Sequence, residues 1–316
     1  MAGAGRAVAG IAVTVVAALV LFLALRGHGG GPPGAPQTPA GTAPAQAAGS
    51  SSPLDAASPA SSSAAAGAHS QADPLSGAAA AYVAVRSGTV LAAVYDVTTG
   101  QSWRLGAGPA QAEASVVKLD ILETLLARQD GGQLSQGDRA LAESMIEDSD
   151  NDAATSLWDE AGGAEGIGVY NGRAGLSRTT PSQCVTCAGF PWPGWGLTTT
   201  VPQDQLTLLK QLVVPGPRPL LSQAERSYTL SLMENVTPDQ AWGVSGGVPA
   251  GVTVALKNGW LPLNDANTDW QVNSVGWISG ASRDYLIAVL STGNPTEQYG
   301  IDTINGLSSL IWSAMR

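Results

Sequence analysis

Large apolar residues are spread unevenly along the chain and divide it into three stretches. Val8 to Leu25 is an unbroken run of 18 apolar or small residues between Arg6 and Arg26. Residues 27–73 hold almost no large apolar side chain besides Leu54. From Pro74 the pattern turns globular. Ala78 to Val85 reads as a helix, Thr89 to Tyr95 as a compact apolar strand, and Gly100 with Gln101 to Leu105 as its hairpin return. In Ser115 to Arg128 a stripe of Val116, Leu119, Leu122, Leu125 and Leu126 recurs at helical spacing, and Gly131-Gly132 marks the end. Arg139 to Ile146 is a second helix, stopping at the polar corner Glu147 to Asn151, and Asp152 to Ala161 restarts helically. Thr200-Val-Pro-Gln reads as a capped helix start that runs through Leu206, Leu209 and Leu212. Thr253 to Leu256, Val272 to Ile278 and Tyr285 to Leu290 are strands, and Ile301 to Met315 is a closing helix. Strands at both ends with helices between them describe an α+β protein: an antiparallel sheet flanked by helices, plus a helical lobe.

The two leading stretches differ in what they can bury. The 18-residue run, if helical, is ~27 Å long, enough for a bilayer core, so residues 1–26 are expected to form a single transmembrane signal-anchor. A cleaved signal peptide is the alternative. It would want a shorter apolar core with a small-x-small site directly after it, whereas Arg26 follows here and Ala45-Gln-Ala47 lies some way downstream. No cysteine lies near the run, which excludes anchoring through a lipidated cysteine. Residues 27–73, rich in Pro, Ala, Gly and Ser, cannot offset the entropy of ordering and are expected to be a disordered linker. As a flexible coil such a linker reaches ~35–40 Å. Residues 74–316 then form one folded domain, placed outside the cytoplasm.

Composition narrows the chemistry. A net charge of −10 leaves no basic cluster to neutralise phosphates, so no nucleic-acid partner is expected. The chain has only three lysines, Lys118, Lys210 and Lys257, and its two histidines, His28 and His69, fall in the linker. A serine nucleophile in the domain therefore has no histidine to activate it, and lysine is the remaining base. Cys184 and Cys187 are the only cysteines. They lack the further ligands of a zinc site and the βαβ context of a redox pair, so no metal or cofactor is expected. A short-loop disulfide is the leading reading, with free thiols left open.

Two of the three lysines sit inside an ordered trio: Ser115-Val-Val-Lys118, Ser149-Asp150-Asn151 and Lys257-Asn258-Gly259. Composition alone yields such a trio about 0.004 times before order is counted. The trio resembles the S-x-x-K, S-D-N and K-T-G motifs of class A β-lactamases and penicillin-binding proteins, over roughly Pro74 to Arg316. The resemblance implies a serine β-lactamase-like fold and an acyl-enzyme mechanism. Ser115 would be the nucleophile and Lys118 its base, with Ser149 and Lys257 managing the leaving group. Asn151, Asn258, Gly259 and Trp260 would bind substrate, the N–H groups of Ser115 and Trp260 forming the oxyanion site.

Three departures qualify the likeness. Asn258 stands where the family has a Thr or Ser hydroxyl for the substrate carboxylate, although an amide can still donate. Between Gly166 and Gln203 there is no Asp or Glu, whereas class A enzymes carry there the glutamate that activates the deacylating water. The stretch from Lys118 to Ser149 is also shorter than in those enzymes. The expected function is a membrane-tethered extracytoplasmic serine hydrolase. It would be acylated by a β-lactam or a D-Ala-type peptide derived from peptidoglycan, with slow release. The rival is a catalytically silent domain that binds cell-wall fragments through Trp192, Trp195, Trp242 and Trp260. A third reading is a true β-lactamase whose water is activated by Lys118 or by a remote carboxylate such as Glu147.

Overall fold

The computed structural model describes residues 71–129, 133–188 and 190–315. The proposed anchor (1–26), nearly all of the linker and the Gly131-Gly132 stop lie outside the described residues. Gln71, assigned to the linker on composition, is bonded to the domain: its side chain donates to the Ala314 carbonyl at 2.9 Å. No helix among the described residues is long and apolar enough to cross a membrane.

Five strands form one antiparallel sheet in the order β2-β1-β7-β6-β5: β1 Thr89–Asp96, β2 Ser102–Leu105, β5 Thr253–Pro262, β6 Trp270–Gly280 and β7 Arg283–Asn294. The terminal segments of the domain thus supply the sheet, and β1 pairs with β7 in register Leu91 to Leu290. Two-residue strands β3 (Gln111–Ala112) and β4 (Thr199–Thr200) make a second, small sheet. Alternate residues of β7 face opposite ways, as strand geometry requires. Leu286 and Ala288 join one core, while Tyr285, Ile287 and Val289 join the other. The second core is closed by α1 (Ala78–Ala84) and α8 (Glu297–Ala314), through Ile304, Leu307 and Ile311. The first is filled by the helical lobe: α2 Val117–Arg128, α3 Gln136–Glu147, α4 Asn151–Glu160, α5 Gly163–Ala174, α6 Pro202–Val213 and α7 Gln223–Glu234. The α+β architecture is as the sequence pattern implies.

Where the elements differ, the cause is local. The three late strands are each longer than their apolar runs, because β5 and β6 continue through buried polar residues such as Asn258 and Asn273. Helix α6 is capped by Val201 with Pro202 at its first turn, so Thr200 is not its cap. That hydroxyl instead accepts from Gln205. Helix α5 went unread because glycines interrupt its apolar stripe. One of them is required: a Cβ on Gly166 would lie 1.9 Å from the Ala161 carbonyl oxygen.

Candidate active site

Ser115 lies in a single 3₁₀ turn, Ala114–Val116, that leads into α2. Ala114, just before it, adopts φ 51, a left-handed conformation that is strained for a side-chain-bearing residue and recurs at functional sites. The turn presses against β5. A Cβ on Gly259 would come within 2.7 Å of the Ser115 amide nitrogen, so only glycine fits there. Gly259 thus lets β5 pass close to the backbone of Ser115. It brings the edge strand β5 beside Ser115, and Trp260 reaches the same cavity.

Lys118, one turn on, is fully buried, and so is Lys257 on β5. Between them sits Ser149. It occupies the corner between α3 and α4 at φ 59, a second strained position, while Asp150 caps α4 by accepting from the Ala153 N–H at 2.7 Å. Ser149 Oγ lies 3.1 Å from Lys118 Nζ and 2.9 Å from Lys257 Nζ. Lys118 also donates to the Ser149 carbonyl and, at 2.8 Å, to Asn151 Oδ1. Lys257 also donates to the Asn258 carbonyl at 3.0 Å.

Burial and then the Lys257 charge push the Lys118 ammonium well below the usual lysine range, against a weaker pull from Asp150. Burial alone brings Lys257 down to about 7. A neutral Lys118 has two N–H donors and one lone pair. Of its three partners only the Ser149 hydroxyl can donate back, since a carbonyl and an amide oxygen only accept. Deprotonating Lys118 therefore orients the Ser149 proton.

The Ser115 hydroxyl makes no hydrogen bond to the protein among the described residues and is free at the wall of a cavity of about 140 Å³. Ser149, Asn151, Trp192, Trp195 and Trp260 share that cavity. The structure thus gathers Ser115, Ser149, Asn151 and Trp260 at one opening, with Lys118 and Lys257 behind it.

Asn258 is a correction. Its Nδ2 donates to the carbonyls of Gln240 at 2.6 Å and Trp242 at 3.1 Å, and the side chain is fully buried. It secures the segment that brings Gln240 to the cavity, and has no proton left for a substrate carboxylate. Trp242 packs edge-on to Trp260, ring centres 5.8 Å apart, and does not line the cavity.

A further part of the wall comes from the loop between α5 and α6. Cys184 and Cys187 are disulfide-bonded there, with Cα atoms 5.6 Å apart, as the leading reading of the cysteines held. The loop delivers Trp192, Pro193, Trp195 and Gly196 to the cavity. Trp195 is 2% exposed, donates its indole N–H to Thr155 Oγ1 at 3.0 Å, and places its ring 5.1 Å from Lys118 Nζ.

Sequence reasoning missed two sets of acids. Asp148, not Glu147, lines the cavity. Glu113, Asp120 and Glu123 are fully buried beneath Ser115, held by few partners: Asn171 donates to Asp120 and Tyr170 to Glu123. Burial raises all three carboxyls, Asp120 to about 7. Charged residues are so seldom fully buried that no sequence pattern marks them.

Comparison with known proteins bears on the fold and the family. A class A β-lactamase from Mycobacterium abscessus superposes with a TM-score of 0.61, covering 74% of this chain and 96% of the enzyme at 23% identity. The TLA-1 extended-spectrum β-lactamase gives 0.63, with 74% and 95% coverage at 17% identity. Both likenesses establish the fold. "Putative lipoprotein LppW" of Mycobacterium tuberculosis (strain ATCC 25618 / H37Rv) is 29% identical over 219 residues, 66% of this chain and 64% of that protein's length. A model of the β-lactamase enzyme family matches residues 138–315, a stretch that contains Ser149 and Lys257 and begins after Ser115 and Lys118. With more than half of the sequence matched and the class A fold complete around the lysine pair, this chain belongs to the β-lactamase enzyme family.

Proposed function

We propose that the protein is an extracytoplasmic serine hydrolase in which Ser115 is acylated by a β-lactam or by a D-Ala-type cell-wall peptide, and from which the acyl group departs slowly. One observation carries the reading: the Ser149 hydroxyl is held between two buried lysines, 3.1 Å from Lys118 and 2.9 Å from Lys257, at the cavity onto which Ser115 opens. Lys118, neutral in its buried setting, takes the Ser115 proton as Oγ attacks the carbonyl. Backbone N–H groups of Ser115 and Trp260 receive the developing oxyanion. Ser149 passes a proton to the departing nitrogen and is reprotonated by Lys118, which is neutral again, while Lys257, when charged, stabilises that transfer and attracts a substrate carboxylate. Slow release is supported by a loop wall with aromatic residues and no acid.

Outside placement is supported by the Cys184–Cys187 bridge and by the name of the mycobacterial relative. The apolar run at Val8 to Leu25 would be the tether, since no cysteine near it could carry a lipid. A silent binding domain is the second reading, favoured by the lack of a hydrogen bond between Ser115 and Lys118. Fluorescent penicillin and activated acyl esters, followed by intact mass, separate the two. Acylation of the wild type and none of Ser115→Ala is expected. No adduct with any probe, or an adduct surviving Ser115→Ala, contradicts the enzyme reading.

A further inference from the structure

Resting on the acyl-enzyme reading, we propose that Asp148 is the base that activates the water releasing the acyl group from Ser115. The loop wall leaves that task vacant. Residues 166–203 contain no acid, and the indole of Trp195 lies against Lys118 with its N–H bonded to Thr155. A water and a base on that side would have to displace a buried, hydrogen-bonded tryptophan. The α3–α4 corner of the same cavity offers three carboxylates in four residues, and their settings differ. Asp150 is used as the α4 cap. Glu147 is not among the cavity-lining residues, and its carbonyl is fastened to the Thr237 N–H and hydroxyl, each at 3.1 Å. Asp148 lines the cavity with Ser115, and its carboxylate makes no hydrogen bond to the protein among the described residues. The left-handed turn at Ser149 lets these two consecutive residues reach the same space.

This side is also where the leaving group departs, because Ser149 is the residue placed to protonate it. With a peptide substrate, departure of the amine vacates the volume that a water then fills; with a β-lactam the ring-opened nitrogen stays tethered to the acyl group and the water enters beside it. In the step that follows, the water oxygen bonds to the acyl carbon and its proton passes to the Asp148 carboxylate. The tetrahedral centre then collapses, the bond to Ser115 Oγ breaks, and the proton taken by Asp148 passes to Oγ, which restores the carboxylate. The products are a carboxylic acid and free Ser115, and no co-reactant besides water is needed. An exposed carboxylate is well hydrated, which agrees with slow release.

The test times adduct formation and decay separately, by intact mass after a β-lactam pulse and its removal. Asp148→Asn is expected to acylate at the wild-type rate, which also reports an intact fold, while its adduct lives about a hundredfold longer or more. Asp148→Glu should retain part of the release rate and Glu147→Gln all of it. An Asp148→Asn adduct decaying like the wild type overturns the proposal. Absence of any wild-type adduct overturns the acyl-enzyme reading itself, and this step with it.

Discussion

The two walls of the cleft are built from opposite materials. On the α2, α4 and β5 side, two buried lysines converge on one serine hydroxyl with every contact between 2.8 and 3.1 Å apart from the shorter one to the Ser149 carbonyl. On the loop side, a disulfide and a Pro- and Trp-rich segment present rings to the same space. The first wall can move protons. The second excludes water and fixes shape. A serine hydrolase needs proton transfer twice, once to form the acyl group and once to remove it, and in the proposed scheme both transfers fall to the first wall.

The largest effect that sharpens the contrast is expected at Lys118. Lys118→Met should lower the acylation rate about 10²- to 10⁴-fold, the range of a lost general base, with the fold retained. Stopped-flow acylation measures it, and a loss below tenfold would move the base elsewhere. The pH profile of the wild type carries the same claim. Acylation needs neutral Lys118, so its rate should rise with pH and level off well below the ordinary lysine range. A rise continuing to pH 10 would mean an ordinary, solvated lysine.

On the other wall, Trp195→Ala should destabilise the protein by about 3–5 kcal/mol, as expected for removing a buried aromatic side chain. It should also speed decay of the adduct by admitting water. Thermal or urea unfolding beside adduct timing tests both, and a stable variant with unchanged decay would show that the ring is not a barrier. Beneath the site, the raised carboxyl of Asp120 makes stability depend on pH with a definite sign. The folded state holds a proton that the unfolded chain has released between about pH 4 and 7, so stability falls as pH rises through that window. Asp120→Asn should flatten the slope by up to about 1.4 kcal/mol per pH unit, read from unfolding midpoints. Lys257, lowered to about 7, acts in the next window, where stability recovers as pH climbs towards the usual lysine value. Reducing the disulfide is expected to have the smallest effect, about 2 kcal/mol, since it closes a very short loop.

Much of the candidate site's lysine-bearing wall was legible because its residues fall in short, ordered motifs. Ser115 with Lys118, the S-D-N corner and Lys257 needed only spacing on a helix, a turn and a strand to be placed. Asn258 was misread because which carbonyls await an amide at that point of β5 is a tertiary fact. The close pass of the Ala114–Val116 turn by Gly259 was not legible, since nothing local shows that the turn comes so near. The loop wall was legible only as an absence of acids. Which tryptophan would fill the space, and that Asp148 faces it rather than Glu147, follows from how α3 ends and how Ser149 turns. Helix α7 was overlooked although Ser222 and Glu225 form a complete capping box, because its apolar stripe is thin.

The account stands on acylation being intact and release being limiting. Its most direct test is a single pulse–chase by intact mass, in which excess β-lactam is added and then removed while the Ser115 adduct is followed. Stoichiometric adduct that persists after removal of the β-lactam is the predicted result. Rapid multiple turnover with no accumulated adduct would contradict it.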